Sequence, residues 1–388
     1  MKVVRYLLLF AVHLALYAVT LNSVAEPISI EIGKRTTINS KLLKEERKLL
    51  IHLPESYADS KKSYPVVYLL DGNRHFNHAI TATKILQQEG RIPEVIVVGI
   101  TNNRGTRGRD LNREKDQFAK FIQQEVVTYI DKNYRTTGLN TLFGHSLAGY
   151  FTINFLVNQP EIFKNYIAAS PVLQVDNTET RSQYLETYKT QQAKENSLYF
   201  TMTSEAEEGR ATIEALNHFV ELLKDKSPEE LDWHYEFIAN QIHMTTPYLT
   251  FYAGLTHVFK TYQAPSFSSF SDFKKSGGMI ALKSHYKKRA KIYGTDAKIP
   301  ETTLIDLADI LLDDGQTEKA LKIYVDLTKA YPKSARAFSG LGEVYKAMKL
   351  YDKSIKVHEE AVRLSAKLSP GWQRFLKSRL EDVKNTDR

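Results

Sequence analysis

Apolar, β-branched runs alternate with segments of helical spacing over the first two thirds of the sequence. YPVVYLLDG (64–72) and PEVIVVGI (93–100) are apolar almost throughout, which is typical of strands buried on both faces. DQFAKFIQQEVVTYIDKNY (116–134) instead spaces its apolar residues as one face of a helix does. Because strand and helix alternate, the pattern predicts an α/β domain with a mostly parallel sheet and helices on both of its faces.

The C-terminal part of the sequence repeats itself with a period of 34 residues. Ala308, for example, is matched 34 positions later by Gly342. Paired helices with small residues at this period resemble tetratricopeptide repeats, whose helices cross closely. We therefore predict a small all-α domain of two repeat units and a closing helix at 301–388. A linker and a bridging helix are predicted at 265–300.

Residues 1–25 have the pattern of a secretory signal peptide. Lys2 and Arg5 precede a short apolar run, and small residues lead up to Ala25. The run is shorter than the ~20 residues that span a bilayer, so a cleaved signal is favoured over a transmembrane anchor. We expect cleavage after Ala25 and an exported, periplasmic or secreted bacterial protein whose α/β domain covers 26–264.

Composition excludes several kinds of chemistry. The sequence has no cysteine, so it has no disulfide, no thiolate nucleophile and no cysteine-bound zinc. Its formal net charge is +8, but basic and acidic residues are interleaved, which is typical of a solvated surface and not of a nucleic-acid-binding face. His75 and His78 would supply half of a metal site, yet no third ligand follows at a fixed spacing. We expect no metal, no organic cofactor and no nucleic-acid partner.

The segment NTLFGHSLAGY (140–150) places Ser146 between a predicted strand and a predicted helix. A serine held on so sharp a turn needs very small neighbours two positions away on each side, and Gly144 and Ala148 meet this need. The pattern predicts that Ser146 is a nucleophile for attack on an acyl carbonyl. The alternative is a structural serine in a glycine-rich turn.

A histidine that accepts the proton of such a serine is expected in a loop after the last strand. His243 lies in a loop of this kind, just before a helix opened by Pro247, and we predict that it is the general base; the alternative is an ordinary surface histidine. The acid that orients it is predicted to be Glu205, the first carboxylate past the end of a strand and hence the one with the shortest reach. Glu208 and Asp176 remain alternatives.

Two backbone N–H groups are predicted to stabilise the oxyanion that forms during the attack. Leu147 directly follows the nucleophile, and Asn73 follows Gly72, which lets the backbone turn in close. Arg107, Arg109 and Asp110 are interpreted as a polar rim at the mouth of the site, and Arg109 and Asp110 as candidates for substrate binding.

Several blocks of the sequence, in the same order, resemble the esterase D-like family of α/β-hydrolases. They include YPVVYLLDGNRHF, VVGITNNRGTRGRDLN, IHMTTPYLTFYAGLTHVF and the segment around Ser146, and the resemblance covers about residues 30–263. The branch that the sequence resembles most is that of the siderophore (enterobactin-type) esterases, whose members carry an Arg-Asp-Leu segment like 109–111. Some bacterial members also carry tetratricopeptide repeats.

This resemblance implies an α/β-hydrolase fold and a role for five residues. They are the nucleophile Ser146, the base His243, the acid Glu205 and the oxyanion donors Leu147 and Asn73. Two departures from the family pattern stand out. Ala148 replaces the usual glycine, and the segment after Asp110 is shorter than the lid of many relatives.

Together these features predict an exported serine carboxylesterase that acts on a small-molecule ester through an acyl-enzyme. An acyltransferase that uses a sugar or lipid alcohol in place of water would need the same residues. A third hypothesis is a non-catalytic, hydrolase-like scaffold that presents the helical repeats to a protein partner.

Overall fold

The computed structural model describes residues 28–191 and 195–386. The chain divides into two compact units, Met1–Gly33 and Lys34–Arg388, and every element named below belongs to the second unit. The signal peptide predicted at 1–25 lies outside the described residues. Within the described ranges, no helix is both long and apolar enough to cross a membrane.

A mostly parallel sheet forms the framework of the N-terminal part. Its strands are β1 (Lys34–Ser40), β2 (Glu45–His52), β3 (Tyr64–Leu69), β4 (Ile96–Ile100), β5 (Thr136–His145), β6 (Asn165–Ala169), β7 (Asn196–Met202) and β8 (Leu231–Phe237). The strand order is β1-β2-β4-β3-β5-β6-β7-β8. β2 is antiparallel to both β1 and β4, whereas the other neighbours are parallel. The predicted α/β class is confirmed.

Helices cover both faces of this sheet. They are α1 (Gly72–Gln88), α2 (Lys115–Phe121), α3 (Thr128–Asn133), α4 (Leu147–Asn158), α5 (Thr178–Ser182), α6 (Tyr184–Thr190), α7 (Glu205–Glu208), α8 (Arg210–Lys226) and α9 (Thr246–Val258). Wider helical turns at Arg109–Arg113 and Ile122–Val127 precede and follow α2. The helix predicted at 116–134 is therefore confirmed as one helical segment with a wider turn inside it.

Alternate residues of the central strand β3 point to opposite faces of the sheet, and both faces are buried. Val66 and Tyr68 belong to one apolar core together with side chains of α4 and α8. Val67 and Leu69 belong to the other core, together with side chains of α1 and α9. Because all four positions are fully buried, the strand needs an apolar residue at each of them, which explains its continuous apolar run.

The C-terminal part of the described chain consists of helices and their connecting loops. The helices are α10 (Phe270–Lys275), α11 (Gly278–Tyr293), α12 (Glu301–Asp313), α13 (Thr317–Ala330), α14 (Ala335–Ala347), α15 (Tyr351–Leu364) and α16 (Pro370–Thr386). The all-helical character predicted for this part is confirmed. The boundaries predicted at 265–300 and 301–388 stay predictions, because Lys34–Arg388 forms one compact unit.

Helix α11 contributes side chains to two different cores. Leu282 and Tyr286 are buried in the core of the C-terminal helices. Tyr293, at the other end of the helix, is buried in the sheet core, where its ring centroid lies 6.0 Å from that of Phe259. The helix thus links the C-terminal helices to the sheet through apolar packing.

Two glycines of α14 lie where neighbouring helices come closest. A Cβ on Gly340 would lie 2.1 Å from the ring of Tyr324 on α13, and a Cβ on Gly342 would lie 2.4 Å from the imidazole of His358 on α15. Both rings are buried and have little room to move aside. Small residues are therefore required at these crossings, as the 34-residue period indicated for Gly342. The assignment to tetratricopeptide repeats stays a prediction.

Replacing Gly342 by alanine should destabilise the protein, although alanine is the better helix former by ~1 kcal/mol. The added methyl overlaps the buried His358 ring, and overpacking of this kind costs ~1–3 kcal/mol. The matched control is Gly371→Ala in α16, where the nearest atom, Ser369 Oγ, would lie 3.9 Å from the Cβ. This control should be neutral or stabilising. Urea denaturation followed by circular dichroism measures both variants, and equal stabilities would contradict the close crossing.

Candidate active site

The predicted functional residues gather where parallel strands of the sheet end. Ser146 N donates to Ala169 O at 2.9 Å, and Ser170 N donates to Thr201 O at 3.0 Å, which extends the strand pairing past the ends of β5 and β6. The carboxyl ends of parallel strands meet at one edge of a sheet, where open α/β folds bind their ligands. The loops after β3, β5, β6 and β7 therefore form one rim.

Ser146 occupies the sharp turn between β5 and α4. Its backbone angles, φ 62° and ψ −121°, are rare for a residue with a side chain, and strain of this kind clusters at functional sites. A Cβ on Gly144 would lie 2.2 Å from the carbonyl oxygen of Ala148, so glycine is required there. Ala148 is fully buried, and its methyl is accommodated. The predicted strand–turn–helix setting of Ser146 is confirmed, and its role as nucleophile stays a prediction.

The two predicted oxyanion donors lie at helix N-termini. Leu147 is the first residue of α4 and Asn73 the second of α1, so neither N–H has an acceptor within its own helix. The positive end of a helix dipole also favours an anion at this place. A Cβ on Gly72 would lie 2.5 Å from the backbone of Gly99, so α1 can start this close to β4 because residue 72 is glycine.

His243 lies in the loop between β8 and α9, as predicted. Its Nδ1 donates to Oε2 of Glu208 at 2.6 Å. Its carbonyl oxygen accepts from Nε2 of His145 at 2.9 Å, and the two imidazole centroids are 4.7 Å apart. Since His145 directly precedes Ser146, His243 lies beside the turn that carries Ser146. A proton on Nδ1 leaves Nε2 free to accept one, which is the tautomer that a general base needs.

The carboxylate bound to His243 therefore belongs to Glu208, one of the alternatives, and the placement predicted for Glu205 is corrected. Glu205–Glu208 forms the single helical turn α7, which ends at Gly209 with φ 82°. Along this turn Glu205 remains exposed, whereas the side chain of Glu208 is 1% exposed. Counting residues from the end of the strand missed this outcome because the chain continues through a single helical turn, and it is the last residue of that turn, not the first, that reaches His243.

Ser170 and Thr246 hold the acid and the histidine loop together. Ser170 Oγ donates to the other carboxylate oxygen of Glu208 at 2.6 Å and lies 2.8 Å from Thr246 Oγ1. Thr246 Oγ1 also lies 3.0 Å from the carbonyl oxygen of His243. A hydroxyl has one proton, so Thr246 Oγ1 donates either to Ser170 Oγ or to the carbonyl oxygen of His243, but not to both at once. The N–H of His145 keeps the His243 carbonyl satisfied in either case.

Arg107 fastens the loop after β3 to the loop after β5. Its Nε and Nη2 each donate to an oxygen of Asp71 at 2.8 Å, and Nη2 reaches the carbonyl oxygen of His145 at 3.3 Å. Asn102 also donates to Asp71. A two-pronged pair between guanidinium and carboxylate fixes direction as well as distance. Arg107 therefore links the turn before Asn73 to the turn before Leu147, which are the two predicted oxyanion donors.

Arg109 and Asp110, predicted as candidates for substrate binding, are bound to other side chains of the protein. Asp110 is 1% exposed and accepts from Arg47 at 2.6 Å and from Arg109 at 2.8 Å. Arg109 also donates to Glu45 at 2.7 Å, and Glu45 accepts from Arg47. Two positive and two negative groups thus satisfy one another. This cluster attaches β2 to the helical segment after β4, and the predicted role of Arg109 and Asp110 in substrate binding stays a prediction.

Asp176, the remaining alternative for the acid, is bound elsewhere. It accepts from Tyr150 Oη at 3.0 Å and from Tyr184 Oη at 2.5 Å. Burial and the neighbouring carboxylate raise the pKa of both tyrosines, which therefore stay protonated as donors. Asp176 thus anchors the start of the helical segment after β6.

Three more histidines adjoin the site and are electrically neutral. Burial lowers the pKa of His75 to about 3 and the pKa values of His78 and His145 to about 4. His75 Nδ1 lies 2.9 Å from His78 Nε2, so the pair considered as half of a metal site is hydrogen-bonded internally. Among the described residues, no three His, Cys, Asp or Glu side chains are grouped as a metal ion would require.

Residues 40–263 match the family described as "Putative esterase", and this range is more than half of the 388 residues. The chain belongs to this esterase family. The match takes in every residue of the site, from the Glu45 ion-pair cluster to Thr246 at the start of α9.

Individual relatives cover different parts of the chain. The ferri-bacillibactin esterase BesA of Bacillus subtilis (strain 168) is 31% identical over 140 residues, which cover 28% of this chain and 47% of BesA, so the chain spans about half of that relative. An IroE-like serine hydrolase of Shewanella oneidensis has a TM-score of 0.60 at 24% identity, with 77% of this chain and 99% of that structure covered. An uncharacterised protein of Capnocytophaga ochracea DSM 7271 has a TM-score of 0.60 at 17% identity and covers 91% of this chain and 99% of its own. The two solved structures share the fold.

Because His75, His78 and His145 are neutral when folded, the free energy of unfolding should be lower in mild acid than at neutral pH. Each binds a proton near pH 6.5 when unfolded but only near pH 3–4 when folded, so the unfolded state holds more protons between these values. Their contribution is fully present above pH 6.5 and is lost as the pH falls toward 4, by about 1.4 kcal/mol per pH unit for each histidine. Urea unfolding between pH 7.5 and 5 measures the slope.

The comparison variant for this pH series is His75→Gln. Carboxylates contribute equally to the pH dependence of the unfolding free energy in both proteins. The variant should therefore lose about 1.4 kcal/mol less per pH unit, which is the contribution of one histidine. Identical slopes in the two proteins would contradict the neutral state inferred for His75.

Proposed function

We propose that this esterase-family protein is a serine carboxylesterase. The observation that carries the proposal is the 2.6 Å hydrogen bond between His243 Nδ1 and the buried carboxylate of Glu208, beside the turn that holds Ser146. In the proposed reaction, Ser146 Oγ attacks the carbonyl carbon of the ester while His243 Nε2 takes its proton. Glu208 keeps the imidazole in the required tautomer and stabilises the imidazolium that forms.

The tetrahedral intermediate places a negative charge on the former carbonyl oxygen. The N–H groups of Leu147 and Asn73, each at the positive end of a helix, are proposed to bind that oxyanion. His243 then gives its proton to the departing alcohol, and the acyl group remains on Ser146. In the second half of the cycle, His243 takes a proton from water, the resulting hydroxide attacks the acyl carbon, and the acid leaves as Ser146 recovers its proton.

We infer that the substrate is a small-molecule ester met outside the cytoplasm. The location rests on the signal-peptide pattern of residues 1–25. BesA is named as a ferri-bacillibactin esterase, and a relative from Emericella nidulans, 29% identical over 157 residues, is named as a siderophore enterobactin esterase. A siderophore ester therefore belongs in the first panel of substrates beside simple aryl and alkyl esters. The protein partner predicted for the helical repeats stays a prediction.

Ser146→Ala should abolish hydrolysis of short-chain p-nitrophenyl esters. Loss of the nucleophile in serine hydrolases lowers kcat by about three to six powers of ten. Labelling with a fluorophosphonate probe provides a second readout, because the wild type should be labelled and the variant should not. Equal hydrolysis by the two proteins would refute the proposal. A wild type that neither hydrolyses esters nor reacts with the probe would favour the scaffold hypothesis.

Glu208→Gln and Glu205→Gln form a matched pair that tests the acid. Both changes remove one carboxylate from α7, but only Glu208 contacts His243. Glu208→Gln should lower kcat by about two to four powers of ten, as loss of the orienting acid does elsewhere. Glu205→Gln should change it by less than about twofold, since the exposed side chain has no such contact. A larger loss of kcat in Glu205→Gln than in Glu208→Gln would identify Glu205 as the acid. Circular dichroism spectra establish that both variants are folded.

A further inference from the structure

A cavity of about 410 Å³ lies at the junction between the sheet part and the C-terminal helices. One wall is the chain that follows α9, from Lys260 to Ser266, and the other wall is one side of α11. The match to the esterase family ends at residue 263, so the cavity needs residues from outside the matched range. None of its lining residues belongs to the site around Ser146.

The lining of this cavity is basic. It includes Lys260, His285, Lys288 and Arg289, and no acidic residue is among the residues that line it. Lys260 is neutralised by Asp232, whose Oδ2 lies 2.7 Å from the lysine Nζ. Among the described residues, Lys288 and Arg289 have no ion-pair partner. Two uncompensated positive charges therefore face one cavity.

Arg289 is held in an orientation that leaves its donors available. Its guanidinium carbon lies 3.7 Å from the ring centroid of Tyr262 and 5.2 Å from that of Tyr286. Stacking uses the flat face of a guanidinium, and its N–H groups point outward in the plane. Arg289 Nε is buried and has no hydrogen-bond partner within the described chain. A buried donor without an acceptor is costly, so an acceptor supplied by a ligand would stabilise this group.

A second polar atom in the same lining is unsatisfied. His285 Nε2 is buried and, within the part of the chain that the structure describes, has no hydrogen-bond partner. His285 lies one helical turn before Arg289 on α11, so both side chains lie on the same side of the helix. Burial and the nearby Arg289 lower the pKa of His285, which also bonds to the Gln263 backbone, so its neutral imidazole would accept at Nε2 from a protonated oxygen of the ligand. The same ligand could therefore satisfy both atoms.

We propose that this cavity binds a small oxyanion, either inorganic phosphate or a phosphate monoester. Arg289 supplies in-plane N–H donors for two oxygens, and Lys288 supplies the second positive charge. Two uncompensated cations match a dianion better than a single carboxylate, and a guanidinium is well suited to paired contacts with phosphate oxygens. The bound anion would connect α11 to the chain that leaves α9, and so would join the C-terminal helices to the sheet part.

The test is calorimetric titration of the full chain with inorganic phosphate and, separately, with glycerol phosphate, at constant ionic strength in chloride. Lys288→Gln and Arg289→Gln should each weaken binding by about tenfold or more, as expected for loss of a charged contact. Lys287→Gln is the matched control, because Lys287 is exposed on the same helix and does not line the cavity. It should bind as the wild type does.

The titrations distinguish a specific anion site from general attraction to a basic helix. Saturable binding of either probe that is weakened by Lys288→Gln but not by Lys287→Gln supports the site, and the tighter probe shows whether the anion is free or esterified. No saturable binding of either probe at millimolar concentration would overturn the proposal. An equal loss with Lys287→Gln and Lys288→Gln would also overturn it, since it would mean general attraction to a basic helix. If Arg289→Gln fails to fold, Lys288→Gln still decides, because Lys288 is exposed.

Discussion

The candidate site depends on how closely β5 and α4 approach each other around Ser146. The backbone of Gly144 lies so near the carbonyl oxygen of Ala148 that any side chain at 144 would collide with it. That closeness lets the strand pass into the helix within one residue and forces Ser146 into its rare backbone conformation. It also brings the N-terminus of α4 to the sheet edge, so one turn positions both the hydroxyl and the N–H of Leu147.

Around this turn, each group depends on a partner from another loop. The carboxylate of Glu208 is buried, so it needs donors, and it receives them from His243 and Ser170. A buried carboxylate without such donors would be destabilising. Arg107 in turn connects the loop after β3 to the carbonyl before Ser146. The geometry of the site is therefore set by hydrogen bonds between loops that are far apart in sequence.

Local patterns in the sequence predicted those parts of the molecule whose structure depends on residues close together in the sequence. Continuous apolar runs indicated the buried strands, and small residues beside Ser146 indicated its turn. The position of His243 followed from the order of strand, loop and helix. Glu205 is the carboxylate nearest the end of the strand along the chain, but the carboxylate that contacts His243 belongs to Glu208 at the other end of α7. The ion pair between Arg109 and Glu45 was not predicted, because it joins residues far apart in the sequence and such pairing leaves no local pattern.

The position of α11 affects the whole Lys34–Arg388 unit. Tyr286 and Tyr293 are two turns apart on one helix, yet they fill different apolar cores. Disorder in either core would take packing partners away from the other through this shared helix. The packing of the C-terminal helices is thus connected to that of the sheet, and a polypeptide ending before α11 would leave Phe259 without the ring of Tyr293.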